Sequence, residues 1–264
     1  MSTKDTSAAN KKNLDTILVL DFGSQYTQLI ARRVREMNVY SEILPWDISS
    51  DRIKELNPKG IILSGGPESV TNSNTPRAPE IIFELGIPIL GICYGMQTLA
   101  EQFGGQVASS KIKEFGHAQI TIENTSTLFE GFDIGANIDV WMSHGDHVSS
   151  LPDAFNLIAS TESAPIAAME HAEKLIYALQ FHPEVTHSKE GGVVLENFII
   201  KICNAAQSWK MEGLIEQKIS KIKKQVGDQK VLLGLSGGVD SSVTAMLLDQ
   251  AIGKNLICVF VDNG

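Results

Sequence analysis

The sequence predicts an α/β fold, a mainly parallel open sheet flanked by helices, followed by an incomplete second α/β domain. Short apolar runs alternate with segments whose apolar residues recur at helical spacing. This alternation is typical of a sheet that carries helices on its faces. The last strand–loop–helix–strand set, within residues 230–264, is too short to bury a core of its own. We therefore expect one complete domain and the start of another.

The elements of the first half follow from their apolar residues. The runs at 16–21, 60–63 and 87–92 predict buried strands. Helical spacing predicts a helix after the first strand, over about 26–37. A further helix is expected to begin at Pro79, because proline is favoured in the first turn of a helix.

The second half of the domain has a different pattern. Alternation predicts strands at 118–122 and 137–142, and the apolar runs at 166–169 and 175–181 flank a turn and predict a hairpin. A helix over 193–203 is expected to close the domain.

These patterns divide the chain into four parts. We expect a disordered tail over 1–14, a first domain over 15–206, a lysine-rich connecting helix over 207–229 and a truncated second domain over 230–264. The second domain begins with a strand at 231–235, and its last apolar run, LICVFVDNG, predicts a further strand.

Composition excludes some classes of function. Asp and Glu number 31 against 22 Lys and Arg, for a formal net charge of -9, which argues against a general nucleic-acid-binding surface. The cysteines Cys93, Cys203 and Cys258 form no Cys-x-x-Cys pair, which favours a reducing compartment and one reactive thiol over a disulfide framework. The polar start lacks a secretory signal, and no apolar run approaches the roughly 20 residues of a membrane span, so we expect a cytoplasmic protein.

The segment Gly91-Ile92-Cys93-Tyr94-Gly95 joins a predicted strand directly to a predicted helix. Gly-x-Cys-x-Gly in this position is the cysteine counterpart of the nucleophile elbow, a sharp turn that lifts one side chain out of the backbone. The glycines are needed because a Cβ would clash with neighbouring elements. The positive end of the helix dipole favours thiolate over thiol. We interpret Cys93 as a nucleophile, the alternative being a small buried cysteine.

A thiolate nucleophile needs a proton carrier, and the carrier needs an orienting group. Phe181-His182-Pro183-Glu184 follows an apolar strand. Residues two apart on an extended segment face the same way, so His182 and Glu184 can both point to the carboxyl edge of the sheet. We expect His182 to shuttle the proton and Glu184 to hold its ring. The His-Pro-Glu pattern indicates a catalytic histidine only in combination with Cys93, because a histidine at a strand end is usually only a polar surface residue.

Two glycine-rich segments follow predicted strands. In Ser64-Gly65-Gly66-Pro67, backbone N–H groups can converge on an oxyanion, although most such stretches are only turns. Ser236-Gly237-Gly238-Val239-Asp240-Ser241-Ser242 stands between a strand and a helix, where glycine N–H groups and serine hydroxyls can bind phosphate. It lacks the Gly-Lys-Ser/Thr ending of a P-loop, and Asp240 suggests a magnesium ion or a water network.

The segments LSGGP, GICYGMQ and FHPEVTH together resemble the triad-type, class I glutamine amidotransferases. The resemblance implies a flavodoxin-like sheet. It further implies a catalytic triad of Cys93, His182 and Glu184 that hydrolyses glutamine through a thioester and releases ammonia. The N–H groups of Gly66 and Tyr94 would then form the oxyanion hole.

The segment WMSHGD, over 141–146, resembles the part of the GMP synthetase family that recognises glutamine. A free amino acid offers an ammonium group, from which Asp146 can accept, and a carboxylate, to which Ser143 and His144 can donate. Gln97, early on the elbow helix, is expected to join them. We do not interpret His144 as the general base, because the sequence offers it no carboxylate at a matching spacing.

The segment SGGVDSS resembles the pyrophosphate loop of enzymes that adenylate a substrate with ATP. A triad amidotransferase placed before such a loop is similar to the GMP synthetase family. This implies synthesis of GMP from XMP, ATP and glutamine. The synthetase half would use ATP and Mg²⁺, and glutamine hydrolysis would need no metal or cofactor. The resemblance also implies a homodimer formed through sequence beyond residue 264. Because the synthetase domain is incomplete, we expect that this chain cannot itself make GMP.

Three other functions fit part of the pattern. One is an amidotransferase component of another biosynthetic enzyme, against which the SGGVDSS segment counts. Another is a cysteine hydrolase or peptidase on a similar elbow, which WMSHGD disfavours. The third is a non-catalytic regulatory module, which the loss of Cys93, His182 or Glu184 would have favoured.

Overall fold

The structure, a computed structural model, describes residues 14–210 and 214–260, without the side chains of residues 110–113, 214 and 217. The chain forms two units, a larger one that ends at Trp209 and a smaller one that begins at Lys210. The predicted tail before residue 14 and the last four residues of the final predicted strand lie outside the described residues.

Within the described residues, the larger unit is built on a nine-stranded sheet. Its strands are β1 Thr16–Asp21, β2 Tyr40–Pro45, β3 Gly60–Leu63, β4 Ile89–Ile92, β5 Gln106–Ile122, β6 Asn137–Ser150, β7 Phe155–Ser160, β8 Ala168–His171 and β9 Ile176–Leu179. Their order in the sheet is β2-β1-β3-β4-β9-β8-β7-β5-β6. The first five strands of this order are parallel to one another, and the remaining neighbours are antiparallel. The helices are α1 Thr27–Glu36, α2 Ser50–Leu56, α3 Tyr94–Gln102 and α4 Gly191–Glu196.

Strand β1 shows why the sheet forms the core. Ile17, Leu18, Val19 and Leu20 are all fully buried. Ile17 and Val19 belong to one hydrophobic cluster, and Leu18 and Leu20 belong to the other. A strand covered on both faces has a continuous apolar run, as this one does, and each buried side chain contributes roughly 1.5–3 kcal/mol.

Helix α1 packs on the sheet through one face. Its buried residues Thr27, Ile30, Ala31 and Val34 recur at helical spacing, as predicted. Its outer face is polar, and Arg32 forms an ion pair at 2.8 Å with Glu36, one turn later.

Helix α2 begins after Ser49, whose side chain accepts a hydrogen bond from the backbone N–H of Arg52. The sequence analysis did not assign α2, β2 or β7.

Several predicted elements have different lengths in the structure. The segment after Pro79 forms only one 3₁₀ turn over Glu80–Phe83, since Gly86 at φ 66° and the following Pro88 end it. The runs at 118–122 and 137–142 are the ends of strands of 17 and 14 residues, which pair in one long antiparallel ladder. The closing helix changes from α to π geometry over Asn197–Ile202.

The hairpin formed by β8 and β9 was predicted correctly, and it positions the site. Strand β9 pairs antiparallel with β8 and parallel with β4, with Ile89 opposite Ile176 and Ile92 opposite Leu179. The carboxyl ends of β4 and β9 are therefore adjacent, and these ends carry the Cys93 and His182 segments.

No helix within the described ranges is long and apolar enough to cross a membrane.

The smaller unit contains α5 Leu214–Val226, β10 Val231–Leu235, α6 Val239–Ile252 and β11 Leu256–Phe260. Strands β10 and β11 pair parallel, as expected for a β–α–β unit. Across 214–260, Ala251 is the one hydrophobic residue described as buried, and the others include Leu232 at 70% exposed. Such a unit has almost no core of its own.

Candidate active site

Cys93 lies in a strained backbone conformation between β4 and α3. Its φ is 53° and its ψ is -105°, which a residue with a Cβ rarely adopts. The backbone N–H of Cys93 donates to the carbonyl of Leu179 on β9 at 2.7 Å. A Cβ on Gly91 would lie 2.6 Å from the carbonyl oxygen of Gly95, and one on Gly95 would collide with Leu63. Neighbouring strands thus hold the turn, and the glycines permit it, as expected.

His182 and Glu184 form a buried pair. Nδ1 of His182 lies 2.7 Å from Oε1 of Glu184, and the two residues are 3% and 0% exposed. The sequence analysis expected them on an extended segment, but β9 ends at Leu179 and the pair lies in a turn. Pro183 stands between the two residues and has no N–H group with which to continue strand pairing.

Contacts from distant parts of the chain hold this turn. The N–H of His182 donates to the carbonyl of Trp141 on β6 at 3.0 Å. Ser188 donates through Oγ to the carbonyl of His182 at 2.6 Å, and Arg33 of α1 donates through Nε to the carbonyl of Glu184 at 2.9 Å. The ring orientation is therefore set by α1, β6 and the following loop together.

The surroundings of His182 favour its protonated form. Burial by itself lowers the pKa of His182, but the charge of Glu184 and the neighbouring Cys93 raise it, and the pKa ends well above its ordinary value. Because Nδ1 faces Glu184, Nε2 is the nitrogen left for Cys93. The ring of Tyr26 packs edge-on against His182, with centroids 5.1 Å apart.

The glycine turn after β3 lies beside this pair. A Cβ on Gly65 would lie 3.2 Å from Cε1 of His182 and 3.6 Å from Cβ of Cys93. A Cβ on Gly66 would lie 3.3 Å from Cγ of Tyr94. Among the described residues, the N–H groups of Gly66 and Tyr94 meet no protein acceptor. Both remain available to an oxygen atom next to Cys93.

The predicted glutamine-binding residues are partly engaged with each other. Gln97 is buried, and its Nε2 donates to the backbone carbonyl of Asp146 at 2.7 Å. Oδ1 of Asp146 accepts from Oγ of Ser109 at 2.7 Å. The carbonyl of Ser143 accepts from the Cys93 thiol at 3.5 Å. The structure thus brings Ser143 to Cys93 through its backbone and leaves Oε1 of Gln97 for other contacts.

His144 has a carboxylate neighbour that the sequence analysis missed. In the ladder of β5 and β6, Glu114 is opposite His144, and its Oε2 lies 2.9 Å from Nε2, in an orientation that forms no hydrogen bond. Burial lowers the pKa of His144 to about 4 and raises the pKa of Glu114. His144 is therefore neutral at pH 7, and neither of its ring nitrogens has a hydrogen-bond partner among the described residues.

Two further side chains touch the site without having been predicted. Gln180 is fully buried, and its Nε2 lies 3.8 Å from Sγ of Cys93. A polar residue at the end of the apolar run before His182 was the available signal. Arg33 had no signal, because it meets Glu184 across 151 positions of sequence.

The loop between β10 and α6 is held by its own side chains. Oγ of Ser241 donates to the carbonyl of Gly238 at 3.0 Å and lies 3.1 Å from Oγ of Ser236, and Oγ of Ser242 donates to the same carbonyl at 2.9 Å. Gly237 has φ 78°, and Asp240 lies in the first turn of α6. The loop leaves backbone N–H groups and hydroxyls exposed before the N-terminus of a helix, which suits phosphate oxygens.

No described group of three or more His, Cys, Asp and Glu residues could hold a metal ion. A cleft of about 590 Å³ lies elsewhere in the larger unit, around residues 124–132 and 170–177, and no predicted site residue lines it. The buried contacts, rather than the size of a cavity, therefore locate the candidate site.

The chain is similar in sequence to known proteins. The family model of class-I glutamine amidotransferases matches residues 18–202, and that of NAD synthase matches residues 210–261. The chain is 56% identical over 261 residues to a protein of Hamiltonella defensa named GMP synthase [glutamine-hydrolyzing], covering 96% of this chain and 50% of the relative. It spans about half the length of the curated relatives it matches.

Solved structures show the same fold. A putative GMP synthase component from Thermoplasma acidophilum is 34% identical, with a TM-score of 0.63, over 73% of this chain and 95% of that one. A glutamine amidotransferase from Thermotoga maritima, at 17% identity and a TM-score of 0.53, covers 90% of this chain and 98% of that one. With a family match over most of its length, the chain belongs to the class-I glutamine amidotransferases.

Proposed function

We propose that this chain hydrolyses glutamine for GMP synthesis, through Cys93, His182 and Glu184. The observation that carries the proposal is the position of Cys93 on a strained turn, beside an imidazole whose Nδ1 is 2.7 Å from a buried carboxylate. A nucleophile, a proton carrier and an orienting group are the parts that acyl transfer needs.

The residues have distinct roles in the proposed reaction. Sγ of Cys93 attacks the side-chain amide carbon of glutamine, and the N–H groups of Gly66 and Tyr94 stabilise the negative charge on the carbonyl oxygen. His182 gives its proton to the leaving nitrogen, so that ammonia departs and a glutamyl thioester remains. Water then attacks the thioester, His182 takes a proton from it, and glutamate and free Cys93 are released.

Glutamine itself is held by polar groups on β6. Asp146 accepts from the ammonium group, while Ser143 and His144 donate to the carboxylate. The neutral state of His144 supports a hydrogen-bonding role rather than an ionic one. Gln97 adds a contact through Oε1, because its Nε2 is engaged with Asp146.

The smaller unit is proposed as the start of the ATP-using half. The exposed loop formed by residues Ser236, Gly237, Gly238, Val239, Asp240, Ser241 and Ser242 would bind the phosphates of ATP. Mg²⁺ would be held by those phosphates with Asp240, since the loop supplies a single carboxylate. ATP activates the 2-oxygen of XMP for displacement by ammonia, with release of AMP and pyrophosphate.

The remaining expectations belong to the same proposal. The domain limits are 15–206, 207–229 and 230–264, after a tail over 1–14. The protein is proposed to act in the cytoplasm as a homodimer. The curated relatives are named GMP synthases and are about twice as long as this chain.

Alkylation by a chloroketone analogue of glutamine tests the proposal. We expect stoichiometric labelling of Cys93, slowed by glutamine and not by asparagine, and loss of this labelling in Cys93→Ser. The exposed Cys258 and the buried Cys203 are internal controls in the same digest. Labelling of Cys93 that is indifferent to glutamine would instead favour a cysteine hydrolase with another substrate.

A further inference from the structure

Gln180 is a polar side chain in a place that the fold does not explain. It follows β9 directly and is 0% exposed, between two apolar neighbours. A buried carboxamide costs free energy unless its donors and acceptor are paired. We propose that Gln180 belongs to the catalytic group, because its carboxamide donates a hydrogen bond to the Cys93 sulfur and stabilises the thiolate. This inference rests on the proposed role of Cys93 as a nucleophile.

The orientation of the carboxamide follows from a chain of contacts. The backbone carbonyl of Asp146 can only accept, so the group of Gln97 that faces it at 2.7 Å is Nε2. The same Nε2 lies 3.5 Å from the carboxamide of Gln180, which must present Oε1 to it. Nε2 of Gln180 is then left for Sγ of Cys93, at 3.8 Å. A flipped carboxamide would set two donors against each other.

Two of the neighbours of the Cys93 sulfur have opposite preferences for its charge state. The carbonyl of Ser143 accepts from the S–H group at 3.5 Å, which favours the thiol. The N–H of Gln180 is a donor, which favours the thiolate. When the proton leaves Cys93, the contact with Ser143 becomes repulsive and the contact with Gln180 becomes charge-assisted. Gln180 therefore offsets the effect of a carbonyl that the β6 backbone places against the nucleophile.

The charged and titratable groups around Cys93 act in a different way. His182 and Glu184 lie after β9, and His144 lies on β6 with Glu114 opposite it on β5. His182, His144 and Glu114 can change their charge with pH. Gln180 does not titrate, so its hydrogen bond adds a constant preference for the thiolate. Removing it should move the alkylation profile of Cys93 along the pH axis while its shape stays the same.

The decisive variant is Gln180→Glu. Its carboxylate can still accept from Gln97, so the internal contact survives, but the second oxygen faces the sulfur without a proton to donate. Gln180→Met has a similar side-chain volume but removes both the N–H donor and the oxygen acceptor of the carboxamide. Gln28→Glu, at an exposed position of α1, is the matched control for an added charge. The measurement is the rate of Cys93 alkylation by iodoacetamide from pH 5 to 10, read by peptide mass spectrometry.

We expect both Gln180 variants to move the midpoint of the pH–rate profile upward by about one pH unit and to lower the rate at pH 7 about tenfold. Gln28→Glu should match the unaltered chain. An unmoved midpoint in a folded Gln180→Glu chain would overturn the proposal. If neither variant folds, the side-chain amide resonances of Gln180 in the unaltered chain decide: they should shift with the same midpoint as the alkylation rate, and resonances that stay fixed would overturn it.

The two proposals fail separately. Iodoacetamide does not depend on glutamine recognition, so the effect of Gln180 can be measured whatever the substrate. A shifted alkylation profile without glutamine-dependent chloroketone labelling would support the proposed role of Gln180 and contradict the proposal that the chain hydrolyses glutamine. Glutamine-dependent labelling with an unmoved profile would retain glutamine hydrolysis and reject the role of Gln180.

Discussion

Two glycine-containing turns of this chain link a strand to a helix, and different forces hold them. At the elbow, Cys93 has φ 53° and is fixed by backbone contacts with β3 and β9, all of them buried. The loop before α6 is exposed, and its hydrogen bonds run between residues at most five positions apart. A strained nucleophile therefore needs a surrounding sheet, whereas a phosphate-binding loop can form from local hydrogen bonds.

The strongest test of the elbow's dependence on its surroundings is Glu184→Gln. The change retains the volume but removes the charge that raises the pKa of His182, so glutamine hydrolysis should fall by roughly 10²–10⁴-fold. Glutamate release and chloroketone labelling measure this. Glu196→Gln, on the exposed side of α4, should leave both unchanged. An equal loss of glutamine hydrolysis in the two variants would mean that the His182–Glu184 pair has no special role in catalysis.

The next test compares glycines of the two units. In Gly95→Ala the new methyl group would collide with the backbone of Leu63, so we expect a loss of about 1–3 kcal/mol in the free energy of unfolding, with loss of labelling. Gly234→Ala, on β10, meets nothing within 4 Å and should be tolerated. Urea unfolding measures both. Equal tolerance would show that the elbow adapts and that its geometry is not imposed by β3.

The pH dependence of stability tests the charge state of His182. A folded-state pKa above the unfolded value of about 6.5 means that the stabilisation is complete below pH 6.5 and is lost as pH rises towards the folded-state pKa. The free energy of unfolding should therefore fall from pH 6.5 upward, by at most about 1.4 kcal/mol per pH unit. His182→Asn should lack this slope. If the free energy of unfolding of His182→Asn still falls with pH in the same way, another group causes the pH dependence.

The smallest expected effect is at the exposed loop. Ser241→Ala removes hydroxyl contacts with Ser236 and Gly238, but both partners are open to water. The free energy of unfolding should change by less than about 0.5 kcal/mol. Thermal unfolding of the chain measures this. A larger loss would show that the loop depends on its hydrogen bonds as strongly as the elbow depends on the sheet.

The sequence was most informative where local residues specify local geometry. The continuous apolar run of β1 and the spacing on α1 predicted two elements to within a residue or two. The glycines around Cys93 predicted an elbow whose close contacts the structure contains. Periodicity was less informative about strand length where cross-strand pairing sets that length. This is the case for β5 and β6, which pair with each other along one long antiparallel ladder.

The type of chemistry could be predicted from the sequence, because a thiol at an elbow and a histidine with a carboxylate two residues later are local patterns. The contacts that control these groups became visible in the folded structure. Glu114 reaches His144 across a strand pair, Arg33 reaches Glu184 from another helix, and Gln180 reaches Cys93 between adjacent strand ends. The physical reason is that hydrogen bonds and burial depend on distance in space, and a sheet brings together residues that lie far apart in sequence.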